Sequence, residues 1–125
     1  MIVDTDVLIR YICGDPDADI SIRKAWPLAI SSITLMELLR LARNREERRT
    51  IEAALAKWET RIVHITEEMS ILATQYMREP GLADTLGIAD ALIAATAVSL
   101  REPLLTGGVH RYQGVPSLDV LPAFA

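Results

Sequence analysis

The sequence predicts an α/β fold, a three-layer α/β/α sandwich around a central, mainly parallel sheet. Two observations carry this. Short apolar stretches with strand character alternate along the chain with segments of helical period, the pattern that builds parallel sheets covered by helices. Half of the 125 residues are apolar but only 5% are aromatic, so the core is built from Leu, Ile, Val and Ala. That suits helices packed on a sheet better than a β-sandwich. The length fits one domain spanning residues 1–125, large enough to bury a core, with no repeat, linker or low-complexity segment.

The elements follow in order. Met1–Asp4 reads as a buried strand ending in acids, and the apolar-rich stretch Val7–Ile12 starts a helix. Gly14-Asp15-Pro16-Asp17 is turn chemistry. Leu28–Ile33 is the second strand. From Thr34 the period changes, and Leu35, Leu38, Leu39 and Ala42 share one helical face. A further helix runs from about Glu46 to Trp58 with Ile51, Leu55 and Trp58 inward. Arg61–Ile65 alternates as a strand, and Thr66 opens a helix carrying Met69, Leu72, Ala73 and Tyr76, which Pro80-Gly81 stops. Ile88–Leu100 is a helix of small apolar residues, able to pack close to a sheet. Pro103–Thr106 is a strand, Gly107-Gly108 a turn, and Ser117–Leu121 the last strand.

Composition narrows the function. A single cysteine, Cys13, excludes an internal disulfide and fits a reducing compartment. No basic leader or long apolar segment is visible, which predicts a cytoplasmic protein without a membrane partner. The net charge of −4 does not suit a protein that holds nucleic acid by phosphate contacts alone. An acidic protein acting on nucleic acid needs a local arginine patch, a cation between its acids and the phosphate, or both. Arg40, Arg43, Arg45, Arg48 and Arg49 offer such a patch, although Glu46 and Glu47 interleave with them as on an ordinary solvated face.

The acids are the candidates for chemistry. Asp4 and Asp6 follow the first strand, where ligands bind in α/β sheets, but Asp also caps helices there. Thr34-x-x-Glu37 matches a capping box, which by itself accounts for Glu37. Asp90 lies near the start of the Ala-rich helix, where the dipole favours a negative charge. It is also the one acid in an apolar segment, and a cation would offset the cost of burying it. If these acids converge, their repulsion is relieved by a divalent cation, and carboxylate oxygens are what Mg²⁺ prefers. Such a site supports phosphodiester hydrolysis. His64 and His110 are isolated, Cys13 has no evident partner, and no P-loop is present, which argues against zinc, a cysteine nucleophile and P-loop nucleotide binding.

An Asp-x-Asp after a strand also opens haloacid-dehalogenase-like phosphatases, and receiver domains place acids at strand ends. Both need a lysine near a late strand, and the only lysines are Lys24 and Lys57.

Four segments, IVDTDVLI, ISSITLMEL around Glu37, IADALIAATA around Asp90 and LLTGGVHRYQGVPSLDVLP, resemble the PIN domain in its order and spacing, and within it the VapC-type toxins of toxin–antitoxin pairs. The resemblance implies an endoribonuclease dependent on Mg²⁺ or Mn²⁺, usually a homodimer, acting on RNA and held inactive by a cognate antitoxin. It implies Asp4, Glu37 and Asp90 as metal ligands and catalytic acids. Thr106 matches the polar residue ending the last core strand, whose hydroxyl would hold a water or phosphate. The chain departs from the family's pattern just beyond. Gly108 stands where a fourth acid or amide is common, and Arg111 where an Asp is common. A fourth ligand is then missing, or Asp6 or Asp84 supplies it. A chain weakened in catalysis, serving as an RNA- or antitoxin-binding module, and a housekeeping RNA-processing nuclease are the alternative readings.

Overall fold

A computed structural model describes residues 1–125. Five short strands, β1 (Ile2–Val3), β2 (Ala29–Ser31), β3 (Arg61–Val63), β4 (Leu104–Thr106) and β5 (Val120–Pro122), form one sheet in the order β3-β2-β1-β4-β5. Every pairing is parallel, with Ile2 opposite both Ala29 and Leu104. The carboxyl ends of all strands therefore share one edge. The chain builds outward from β1 through β2 to β3, then returns to the other side of β1 for β4. That reversal puts a topological switch point between β1 and β4, where the crevice of an open α/β sheet lies.

Alternation along the strands sorts the core into two layers, since successive side chains point to opposite faces. Ile2, Ala29 and Leu104 pack with Met69, Ala73 and Tyr76 of α5 (Glu67–Arg78) and with Ala91, Ile93, Ala94 and Ala97 of α7 (Ile88–Leu100). Val3, Ile30 and Leu105 face the other way. They meet Val7 and Leu8 of α1 (Thr5–Ile12), Ile22 and Ala25 of α2 (Pro16–Ala25), Leu38 of α3 (Ser32–Leu41), and Ile51 and Leu55 of α4 (Arg45–Lys57). The two layers flank the sheet, giving the α/β/α sandwich the sequence predicts. Truncating a fully buried aliphatic such as Leu104 to Ala costs about 2–5 kcal/mol.

Four local features differ from the sequence reading. The segment after Gly14 is a helix start as well as a turn. Asp15 caps α2 by accepting from the Asp17 N–H, Pro16 takes the first helical position, and Ala18, Ile22 and Ala25 are buried. Helix α3 begins before Thr34: Ser31 is its cap, accepting from the Ile33 N–H at 3.1 Å. Thr34-x-x-Glu37 is thus not a capping box. Pro80-Gly81 ends α5 but also opens a one-turn helix, α6 (Pro80–Ala83). The last strand starts later than Ser117, because Ser117 has φ of 64°, in the left-handed region, and cannot extend a strand. A final turn of helix, α8 (Val109–Tyr112), follows β4. No helix is long and apolar enough to cross a membrane.

Candidate active site

Asp4 leaves β1 at the switch point and is 2% exposed. Its Oδ1 accepts from the Thr5 N–H at 2.8 Å, so the carboxylate caps α1. Its Oδ2 accepts from the Thr106 hydroxyl at 2.8 Å, the Tyr112 hydroxyl at 2.9 Å and the Arg111 guanidinium at 3.1 Å. Burial, and after it the neighbouring Asp6, push the Asp4 carboxyl above its ordinary pKa, while these donors work in the opposite direction. Thr106 is itself fully buried at the end of β4, and its oxygen accepts from the Gly108 N–H at 3.0 Å. One hydroxyl thereby fixes the acid and begins the turn into α8.

Asp90 enters from the first turn of α7. Its Oδ2 accepts from the Gly87 N–H at 3.2 Å, so it does cap the helix. Its Oδ1 faces inward to Arg111 at 2.8 Å and the Tyr112 hydroxyl at 3.2 Å. The helical-cap reading and the site reading of Asp90 therefore hold together, one on each oxygen. Asp6 lies in the first turn of α1, with Oδ2 accepting from the Gly107 N–H at 3.1 Å and from Arg111 at 3.4 Å. Its Oδ1 is buried without a hydrogen-bond partner.

Glu37 stands apart from this group. Its Oε1 accepts from the Thr5 hydroxyl at 2.6 Å. The Thr5 and Thr34 hydroxyls are 3.0 Å apart, and since the single Thr5 proton goes to the carboxylate, Thr34 donates to Thr5. Glu37 is thus tied to the backbone neighbour of Asp4 through a buried relay. Asp84 is exposed at the end of α6 and takes no part.

Two site residues escaped the sequence reading in their role, Arg111 and Tyr112. Arg111 forms ion pairs with Asp4, Asp6 and Asp90 at 3.1, 3.4 and 2.8 Å. Burial opposes its charge, but the carboxylates of Asp4, Asp90 and Asp6 outweigh burial and hold the guanidinium protonated. Tyr112 is fully buried, and burial together with Asp4 and Asp90 drives its hydroxyl pKa far up, so it acts only as a neutral donor. The sequence signal for both was their place three and four residues beyond the Gly107-Gly108 turn.

The donor set is all oxygen, the kind that suits Mg²⁺ or Mn²⁺, and Asp6 Oδ1 is a buried acceptor still open. Asp4, Asp6 and Asp90 already surround a single positive group, so the residues fit a cation. As the side chains stand, no three acids close on one point at metal-ligand spacing. His64 and His110 are both exposed, and neither belongs to a group of His, Cys, Asp or Glu side chains that could hold a metal. The arginines of α4 and the segment before it are exposed, with Arg43 paired to Glu47 at 3.2 Å.

Buried carboxylates on the carboxyl edge of an all-parallel sheet, at its switch point, define an α/β protein with an acid-cluster site. The chain belongs to the PIN domain family, whose profile matches residues 1–110. It is 38% identical over 101 residues to Ribonuclease VapC10 of Mycobacterium tuberculosis, covering 78% of this chain and 74% of that protein. Among solved structures it resembles a toxin-antitoxin complex from Klebsiella pneumoniae, with TM-score 0.81, 28% identity and coverage of 98% of this chain and 97% of that one. VapBC2 from Rickettsia felis, solved bound to a promoter DNA fragment, shares the fold with TM-score 0.80 at 21% identity, over 97% and 96% of the two chains.

Proposed function

We propose that this chain is an endoribonuclease dependent on Mg²⁺ or Mn²⁺, the toxin of a toxin–antitoxin pair, restrained by a cognate antitoxin and active in the cytoplasm as a homodimer. The observation that carries this reading is the group of Asp4, Asp6 and Asp90 around one cationic position at the sheet edge of a PIN-domain chain. The similarity to a protein named as a ribonuclease supports the substrate class, and the similarity to a toxin-antitoxin complex supports the partner.

Asp4 and Asp90 would hold the cation, with Glu37 joining directly or through water. Bound there, Mg²⁺ or Mn²⁺ supplies Lewis-acid polarisation of the phosphodiester and lowers the pKa of an attacking water. The chain's own residues do the positioning. Thr106 holds the Asp4 carboxylate in one rotamer through a 2.8 Å hydrogen bond. Thr5 orients Glu37 through its hydroxyl while its N–H fixes Asp4, so the two acids move as a unit. Tyr112 and the sheet wall off the inner side of Asp4, which leaves approach from the Asp6 side.

The test is cleavage of structured RNAs with Mn²⁺, comparing wild type with Asp4→Ala and Asp90→Ala. Cleavage by wild type alone is the expected result, and equal rates in all three proteins refute the assigned site. A second reading, a PIN-fold binding module with weakened catalysis, is favoured by one specific observation: Arg111 already sits on the acids. RNA or antitoxin binding without any cleavage by wild type would select it.

A further inference from the structure

We propose that Arg111 is an internal counter-ion that competes with a divalent cation for Asp4 and Asp90, and that Gly108 is the residue that admits it. This rests on the metal site proposed above and adds what limits access to it.

Oδ2 of Asp4 is saturated with donors. A carboxylate offers about four lone-pair directions. Asp4 accepts from the Thr5 N–H, the Thr106 and Tyr112 hydroxyls and Arg111. Three of these donors fall on Oδ2, the oxygen that shares Arg111 with Asp6 and Asp90, so a cation binding there has to take the place of one of them. The Thr5 donor is backbone, and Thr106 and Tyr112 are fully buried. The Arg111 side chain is 29% exposed and sits on a flexible stem, so it is the donor that can leave. Its departure also frees Asp90 Oδ1 and relieves Asp6 Oδ2.

Charge acts in the same direction. Three carboxylates this close destabilise one another without a positive partner. The guanidinium supplies that partner from within the chain, so the metal-free protein keeps its acids paired. Charge-assisted hydrogen bonds of this kind are stronger than neutral ones, and a cation has to displace them. The apparent affinity for metal falls by the fraction of molecules in which Arg111 still occupies the acids.

Gly108 makes the room for Arg111. Gly108 has φ −112° and ψ 58°, outside the left-handed region, so its backbone does not demand glycine. Space does. A Cβ at this position would lie 2.5 Å from Arg111 Nε and 2.7 Å from its Nη2. Any side chain at position 108 evicts the guanidinium from its present place. The two departures from the family's pattern are thus one feature, since the missing group at 108 makes the room that Arg111 fills.

The experiment is Mn²⁺ titration, by calorimetry and by the paramagnetic resonance signal of free Mn²⁺, on wild type, Arg111→Met and Gly108→Ala, with thermal melts of each in EDTA and in Mn²⁺. Arg111→Met is expected to bind Mn²⁺ about tenfold or more tightly than wild type. It is also expected to melt lower than wild type in EDTA and to recover in Mn²⁺. Gly108→Ala, which keeps the arginine, moves affinity the same way and covers the case in which Arg111→Met does not fold. Equal Mn²⁺ affinity in all three proteins, or weaker binding by Arg111→Met, overturns the competition. If affinities are equal but Asp90→Asn abolishes binding, the metal site stands and only the role of Arg111 falls. Absence of Mn²⁺ binding in every protein removes both.

Discussion

The Tyr112 hydroxyl lies 2.9 Å from Oδ2 of Asp4, joining residues 108 positions apart in the chain. The ring is fully buried and packs with the α5–α7 layer, so only its oxygen belongs to the site. Tyr112→Phe should keep the packing and remove one hydrogen bond to a charged acceptor, a loss of about 1.5–3 kcal/mol. The metal-free melting temperature is expected to drop by on the order of 6–11 °C. Because the hydroxyl pKa is displaced far upward in the fold while an ordinary tyrosine ionises near 10.0, the advantage of wild type over Tyr112→Phe should be constant below that pH and shrink as pH rises above it. An unchanged melting temperature would mean the oxygen contributes nothing to stability.

Thr106 makes a sharper case, because its oxygen serves two groups. It donates to Asp4 at 2.8 Å and accepts from the Gly108 N–H at 3.0 Å. Thr106→Val keeps the shape but strands a buried N–H and frees the Asp4 carboxylate to rotate. We expect a loss of about 1–3 kcal/mol in stability and at least about tenfold in RNA cleavage, with Thr106→Ser restoring both. If valine and serine behave alike in denaturant melts and cleavage assays, the hydroxyl has no positioning role.

Much of the fold was legible because its signals are local. The short apolar runs of β1 and β2, the alternation of β3, the Leu35–Leu38–Ala42 face and the small residues of α7 each follow from a pattern within a dozen residues. Helix α2 was legible too, through an N-cap Asp15, a Pro16 at the first position and Ala18, Ile22 and Ala25 at helical spacing. The turn signal at Gly14 masked it. The start of α3 was misread because Ser31 and Thr34 are equally good caps in sequence, and only the hydrogen bond to Ile33 decides. Ser117 read as strand because a left-handed serine leaves no trace in composition. In the site, Asp4 and Asp90 could be picked out as acids in apolar surroundings. Arg111 could not, since its role depends on β4 returning beside β1 and on the empty volume above Gly108. Glycine at 108 reads in sequence as a missing ligand; in three dimensions it is the space for a cation.

Glu37 is bound to the site by a single contact, the 2.6 Å hydrogen bond from Thr5. Its carboxylate does not cap α3, so Glu37→Gln should leave the melting temperature nearly unchanged. Cleavage with Mn²⁺ should fall by about a hundredfold, the scale of losing one charged group from a transition state. Thr5→Val should produce a smaller loss of the same kind, because it leaves the acid in place without its orienting partner. Glu37→Gln that cleaves at the wild-type rate would remove Glu37 from the chemistry.

The final prediction concerns pH. Burial raises the folded-state pKa of Asp4 above 3.8, with Asp6 adding to the rise. The folded protein therefore holds this proton to higher pH than the unfolded chain does. Stability falls wherever the native state binds more protons than the unfolded one, so the contribution of Asp4 is fully present below 3.8 and is lost as pH rises through the raised value. Asp15, Glu47 and Glu102 are shifted downward, and their contributions run the opposite way, appearing as pH rises. Wild-type melting alone mixes the two trends. The difference between Asp4→Asn and wild type isolates one of them, since the other groups are common to both. In EDTA, the melting temperature of Asp4→Asn relative to wild type should climb as pH rises from 3.8 through the raised value and level off above it. With saturating Mn²⁺, bound metal stabilises the ionised Asp4 of wild type, and the climb should flatten or reverse. A difference between the two proteins that ignores pH in EDTA would show that Asp4 is ionised as readily in the fold as in the open chain.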